Sequence, residues 1–132
     1  MTPSAFMEKA GRALASARVL ASAGDREGAC NRAYYAMFNA VRCALAMSGA
    51  PPEAVRAKTH SGLRAAFNLH LIKSEVLPLD MGNDLRRAEH LRLVADYIGD
   101  PISSDDVETL LAMAIEFVRR VGARFDLPVD TP

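Results

Sequence analysis

The strongest constraint on the fold of this chain is a helical repeat of apolar residues near its carboxyl end. From Val107 to Val121, apolar side chains recur with the i, i+3, i+4, i+7 spacing that places them on one face of an α-helix. Ser103 precedes this segment and Asp106 follows three residues later, an arrangement close to a capping box. The sequence therefore predicts an amphipathic helix that begins after Ser103.

The same periodicity predicts four helices before this one. No segment alternates polar and apolar residues with period two, and short connections between long helices favour antiparallel neighbours. We therefore expect an all-α fold, an antiparallel up-down bundle of about five helices around a four-helix core. The upstream helices are predicted from Pro3 to near Gly24, from a cap at Asp25 to Met47, from a cap at Thr59 towards Leu77-Pro78, and, after a short loop from Pro78 to Gly82, from Asn83 or Asp84 to Gly99.

The size and composition of the chain predict one domain. Its 132 residues are half apolar, which is enough for one substantial core, so residues 1–132 are expected to form a single domain with a short flexible tail from about residue 126. Cys30 and Cys43 lie in the second predicted helix, about 20 Å apart at 1.5 Å per residue. They cannot bond to each other there and are interpreted as small packing residues in a reducing compartment.

Charge and missing motifs limit the classes of partner and cofactor. The 16 Lys and Arg residues balance the 16 Asp and Glu residues, so any contact with RNA must come from a local patch. The sequence contains neither a basic leader nor an apolar stretch of about 18 residues, which predicts a cytoplasmic protein without membrane contact. Neither a Gly-rich phosphate loop nor a His or Cys pair at zinc spacing occurs, so no cofactor and no metal are expected.

One group of polar and aromatic residues lies on the second predicted helix. Asn31, Tyr35 and Arg42 share roughly one face, while Tyr34 and Phe38 lie on another, so this helix is expected to be nearly buried all round. The two tyrosines can be core residues whose hydroxyls reach the edge of the bundle, or they can line a pocket. The residues alone leave both interpretations open.

Two further groups stand on the third and fourth predicted helices. Lys58 and His60 flank the start of the third helix, where free N–H groups favour an anion, although a histidine there can also serve in capping or packing. Arg92 and Asp96 are four residues apart and Tyr97 follows. They can form an ion pair within the helix, or Arg92 can hold phosphate or a partner's carboxylate.

Together, the segments Arg32–Phe38, Lys58–Gly62 and Arg92–Tyr97, in this order and spacing, resemble the HEPN superfamily. The resemblance covers about residues 4 to 124 and is closest to its small, single-domain prokaryotic branch. It implies an antiparallel helical bundle that pairs as a homodimer. It also implies a role in a toxin-antitoxin or defence system beside a minimal nucleotidyltransferase.

The resemblance also implies where a site would be. Many HEPN members carry an Arg that is separated from a His by four to six intervening residues, and the two form a metal-independent ribonuclease site. Arg92 matches the arginine, but positions 97, 98 and 99 are Tyr, Ile and Gly, so whether this chain is an enzyme stays open. The residues predicted to form a pocket are Asn31, Tyr34, Tyr35, Lys58, His60, Arg92, Asp96 and Tyr97.

Three hypotheses of function follow from these residues. The leading one is a homodimeric binding module with a polar pocket around Arg92, which takes RNA or a nucleotide and works with the nucleotidyltransferase. The second is a ribonuclease in which His60, from the same or the other subunit, replaces the missing histidine beside Arg92. The third is a bundle that only mediates assembly.

Overall fold

In the computed structural model, residues 1–97 and 102–132 are described, with side chains described for residues 1–93 and 102–132. This part of the chain contains helices and no strands, which confirms the all-α prediction. The elements in chain order are α1 (Pro3–Ser22), α2 (Arg26–Met47), α3 (Pro52–Val55), α4 (His60–Phe67), a π-helical segment (Asn68–Ile72), α5 (Leu79–Tyr97) and α6 (Ser104–Arg124).

Side-chain caps fix the starts of α2, α4 and α6. The Asp25 carboxylate accepts from the N–H of Gly28 at 2.9 Å at the start of α2. Thr59 and Ser103 cap α4 and α6 with their hydroxyl oxygens in the same way. Each cap satisfies one of the N–H groups that the first helical turn leaves without a partner. These three predicted caps are confirmed.

The predicted start of the fourth long helix was wrong. The structure begins α5 at Leu79, where the sequence predicted a loop as far as Gly82. A β-carbon at Gly82 would lie 3.0 Å from the side-chain oxygen of Asn68, so this glycine permits close packing of α5 on the π-helical segment. Its role is packing within a helix, not the formation of a turn. The predicted exit at Gly99 lies outside the described residues.

Two smaller differences concern the segments on either side of α4. The short helix α3 was not predicted from the sequence; it is a single turn in which Pro52 takes the first helical position. After Phe67 the chain continues as the π-helical segment to Ile72, and Glu75 then adopts a positive φ of 61° before Leu77. The third predicted helix therefore ends about five residues earlier than expected.

The core is organised around α2, which contacts α1, α5 and α6. The connection between α1 and α2 is short, so the two helices run antiparallel. Both helices bury small residues, including Ala10, Ala13, Ala33 and Ala40, and small side chains allow helix backbones to approach closely. No helix in the described ranges is long and apolar enough to span a bilayer.

The segment after α6, predicted to be a flexible tail from about residue 126, makes defined contacts with the bundle. Leu127 and Val129 pack against the core, and the N–H of Leu127 donates to the carbonyl of Gly122 at 2.9 Å. A β-carbon at Gly11 would lie 2.9 Å from the backbone oxygen of Asp130. The tail therefore lies over glycines of α1 and α6.

Candidate functional site

The candidate site begins with two aromatic side chains on α2. Tyr34 and Phe38 are four residues apart, so both face the same side of the helix, and their rings meet edge to face at 4.5 Å between centroids. Both are buried, with Tyr34 only 2% exposed. They form an apolar surface on which side chains from α4 and α5 rest.

His60 is the first residue of α4 and lies on this surface. Its imidazole stacks on the Phe38 ring at 4.8 Å and meets the Tyr34 ring at 5.1 Å, both measured between centroids. The residue as a whole is still exposed to solvent. The imidazole is thus held by aromatic contacts while a ligand can still reach it.

Arg92 on α5 contacts the same tyrosine. Its guanidinium carbon lies 4.8 Å from the centroid of the Tyr34 ring, a cation–π distance. His60 and Arg92 are 32 positions apart in sequence, yet the structure brings both against the ring of Tyr34. Tyr34 is therefore the residue around which the two predicted catalytic candidates are arranged.

Arg42 links α2 to the segment that precedes His60. Its guanidinium donates hydrogen bonds to the carbonyl oxygens of Val55 and Ala57, the latter at 2.9 Å. Thr59 follows two residues later and caps α4. The position of His60 on the aromatic surface is consequently tied to Arg42 through this short segment.

These residues surround an open cavity of about 300 Å³, at the small end of the range for ligand pockets. The cavity contains five of the predicted site residues. Lys58 is not among its lining residues, and the side chains of Asp96 and Tyr97 lie outside the described part of the chain. The lining residues are Phe6, Lys9, Asn31, Tyr34, Tyr35, Phe38, Asn39, Arg42, His60 and Arg92.

Five polar or aromatic lining residues were not part of the predicted site. One is Phe38, which the sequence pattern placed on the same face as Tyr34. Asn39 and Arg42 stand four and seven residues after Tyr35 and so share its helical face, a signal that could have identified them. Phe6 and Lys9 come from α1. Nothing in their own sequence neighbourhood indicates that they meet α2 at this cavity.

The described lining of the cavity is strongly cationic. Lys9, Arg42 and Arg92 contribute three basic side chains, and none of the described lining residues is a carboxylate. Burial lowers the pKa of His60, and the positive charge of Arg92 lowers it further. His60 is therefore neutral at pH 7, with one ring nitrogen able to accept a proton.

The two tyrosines of the cavity differ in environment. Burial raises the pKa of Tyr34, with a further contribution from the negative charge of Glu89, so its hydroxyl stays protonated. That hydroxyl makes no hydrogen bond of normal geometry to the described residues, although Arg92 is close enough to influence its pKa. Tyr35 is 40% exposed, and a hydrogen bond with Asn39 lowers its pKa. The Tyr34 hydroxyl is thus protonated and enclosed beside Arg92, whereas Tyr35 lies at the entrance.

The arrangement suits an anionic ligand that carries a flat ring. Guanidinium groups bind phosphate, and aromatic side chains provide surfaces for stacking. In the described residues, no three His, Cys, Asp or Glu side chains come together as a candidate metal site.

Fold and site together define a small helical-bundle domain with a cationic, aromatic pocket at the contact of α2, α4 and α5. A model of the HEPN domain matches residues 4–124, and the chain belongs to this family. The predicted resemblance is thereby confirmed.

Two relatives are similar over most of their own length. The chain is 32% identical over 123 residues to "UPF0332 protein glr0978" of Gloeobacter violaceus. The aligned region covers 90% of this chain and 94% of that protein. The chain is also 27% identical over 117 residues to "Putative toxin MJ0605" of Methanocaldococcus jannaschii, in an alignment that covers 89% of this chain and 84% of that protein.

Proposed function

We propose that this protein is a toxin-like HEPN module whose pocket binds RNA or a nucleotide through a phosphate group and a stacked base. The observation that carries the proposal is the described lining of the pocket, in which three basic side chains and His60 surround aromatic rings without a carboxylate. The name of the Methanocaldococcus relative, which includes the word toxin, agrees with this role. An RNA target would be met in the cytoplasm, the compartment expected from the sequence.

Each part of the pocket has a partner in a nucleotide. Arg92 offers a charged guanidinium to a phosphate, and the ring of Tyr34 holds that guanidinium by a cation–π contact. The exposed ring of Tyr35, with the Arg32 guanidinium 4.5 Å from its centroid, provides a face for a base at the entrance. Stacking of this kind tolerates different bases, so the proposal predicts weak sequence preference.

Binding is tested with a fluorescent six-nucleotide RNA carrying 2′-O-methyl groups, which cannot be cleaved through the 2′ oxygen. We expect Arg92→Ala to weaken binding by about tenfold, as for loss of a charged hydrogen bond. Arg87→Ala is the matched control, because Arg87 is exposed on the same helix and does not line the pocket. Equal affinities of the two variants, or the absence of binding by wild type, would contradict the proposal.

A ribonuclease is the second candidate function, and it is favoured by the contact of both His60 and Arg92 with the ring of Tyr34. In this reaction neutral His60 takes the proton from a ribose 2′-hydroxyl, whose oxygen attacks the adjacent phosphorus. The bond from phosphorus to the 5′ oxygen breaks, which leaves a 2′,3′-cyclic phosphate and a 5′-hydroxyl. Arg92 stabilises the negative charge that develops on the phosphate.

Cleavage of a mixed RNA pool without added metal separates the two candidates. Both His60→Ala and Arg92→Ala should abolish cleavage by a ribonuclease at matched folding. The rate should rise with pH through a midpoint below the ordinary histidine value of about 6.5, because the base must be deprotonated and its pKa is lowered. If purified wild type leaves the pool intact but binds the methylated RNA, the binding module is the better account. If it does neither, the assembly bundle is favoured.

Homodimer formation and a nucleotidyltransferase partner complete the proposal. The leaving 5′ oxygen also needs a proton, which solvent water supplies because the pocket is open and His60 is neutral before it takes the 2′ proton. Light scattering of the purified protein tests the dimer. Co-purification with a nucleotidyltransferase encoded beside it, compared between wild type and Arg92→Ala, tests the partnership.

A further inference from the structure

A second cavity, of about 520 Å³, opens between α4, the π-helical segment and α5. Like the first pocket it is lined by basic and amide side chains, and none of the described residues in its lining is a carboxylate. Its basic and amide residues are Arg64, Asn68, Lys73, Asn83 and Arg86.

Only two of the three basic side chains in this cavity are available to a ligand. The guanidinium of Arg64 forms an ion pair with the Glu89 carboxylate at 2.6 Å, and both side chains are mostly buried. Lys73 and Arg86 are exposed, and a guanidinium nitrogen of Arg86 donates to the side-chain oxygen of Asn83 at 2.9 Å. This hydrogen bond restrains the Arg86 guanidinium, which reduces the entropy lost when an anion binds.

The two cavities are neighbours along α5. Arg86 lines the second cavity, Arg92 lines the first, and Glu89 stands midway between them in sequence. Steps of three residues place these side chains on successive turns, with a rise of about 9 Å from Arg86 to Arg92 at 1.5 Å per residue. A single strand needs about three stacked nucleotides, at about 3.4 Å each, to cover this distance, so a two-nucleotide RNA does not reach both cavities.

We propose that the second cavity is a phosphate subsite for the same RNA strand that occupies the first pocket. The inference rests on the proposed function and narrows it: the ligand is single-stranded RNA of several nucleotides, not a free nucleotide. One nucleotide binds at Tyr34 and Arg92, and phosphates further along the strand bind Lys73 and Arg86. The Arg64–Glu89 ion pair lies between the two subsites.

The test compares two-nucleotide and six-nucleotide 2′-O-methyl RNA over a series of salt concentrations. In the double variant Lys73→Ala/Arg86→Ala, affinity for the six-nucleotide RNA should fall by about tenfold, as for two exposed charge contacts. The slope of log affinity against log salt should become shallower by about 1.4, that is 0.7 for each lost phosphate contact with a single strand. The affinity for the two-nucleotide RNA should not change.

Arg12→Ala/Arg87→Ala is the matched control, because it removes two exposed positive charges that line neither cavity. Circular dichroism and melting confirm that all variants are folded. If the double variant binds the six-nucleotide RNA like this control while Arg92→Ala still weakens both RNAs, the second subsite is wrong and the proposed function stands. If wild type binds neither RNA, the proposed function and the second subsite are both overturned.

Discussion

Arg42 provides the sharpest test of how this site is held together. Replacement by methionine keeps most of the aliphatic stem but removes the guanidinium, and with it two hydrogen bonds to the carbonyls of Val55 and Ala57. A hydrogen bond that involves a charged group contributes about 1.5 to 3 kcal/mol. Arg42 and both carbonyl-bearing residues are only partly buried, so water can replace some of this loss. We therefore expect a decrease of about 2 to 3 kcal/mol in the free energy of unfolding.

The same substitution should alter the environment of His60. Without the guanidinium, the segment that leads to Thr59 is no longer tied to α2, and the imidazole loses its fixed place on the Phe38 ring. Burial, the charge of Arg92 and, less strongly, the charge of Arg42 itself lower the pKa of His60 in the native protein. Loss of the Arg42 charge and of the fixed position should therefore both move this pKa back towards the ordinary value of about 6.5.

Two measurements check the Arg42 prediction. Urea unfolding gives the free energy, and an NMR pH titration of the imidazole, with the signal identified from its loss in His60→Ala, gives the pKa. Arg32→Met is the matched control on the same helix, because Arg32 makes a cation–π contact with Tyr35 that is worth about 0.5 to 1 kcal/mol at an exposed site. If Arg42→Met costs no more than the control and leaves the His60 titration unchanged, Arg42 does not position His60.

Three further predictions concern pH, the tail and the cysteines. Because folding lowers the pKa of His60, the unfolded chain binds more protons than the folded protein near that pKa. The free energy of unfolding should therefore fall as the pH decreases from about 6.5 towards the pKa of the folded state, and it should fall less in His60→Asn. Urea unfolding between pH 7 and 5 measures this free energy. Gly11→Ala should displace the segment after α6, because the new β-carbon would lie 2.9 Å from the Asp130 backbone oxygen. Carboxypeptidase should then digest this segment faster in the variant than in wild type. Equal rates of digestion for wild type and Gly11→Ala would refute the contact. Burial raises the pKa of Cys43 to about 12, so its thiol should not react with a thiol reagent at pH 8 until urea unfolds the protein.

The fold could be predicted from the sequence wherever local rules decide the structure. Ser103 and Thr59 are caps whose hydrogen bonds span three residues, so their role is visible in a short window of sequence. The start of α5 was predicted wrongly because Gly82 suggests a turn in a short window of sequence. In the structure, this glycine permits a close contact with Asn68 on another element. Sequence periodicity does not predict such contacts between elements.

Half of the lining of the candidate pocket could be predicted from the sequence, but its arrangement could not. Tyr34, His60 and Arg92 were selected because their segments resemble a known family and because their chemistry suits an anion. Whether they meet at one ring depends on the positions of α4 and α5 along the axis of α2. That register is set by the packing of the whole core, so no local pattern reveals it. Lys58 illustrates the limit, since its proximity to His60 in sequence does not bring it into the described lining of the pocket.

The net charge of the chain does not reveal its basic cavities, because carboxylates elsewhere on the protein balance the basic side chains. Carboxylates stand at helix starts, as Asp25 does, or pair with basic residues, as Asp80 does with Arg120 at 2.7 Å. Each carboxylate used in this way stabilises the bundle locally and is kept away from the described lining of both cavities. The basic side chains of the cavities are thus concentrated without a net positive charge on the protein. Binding should consequently depend on salt through these few contacts rather than through long-range attraction, so Lys73 and Arg86 should affect the salt dependence more than exposed arginines elsewhere.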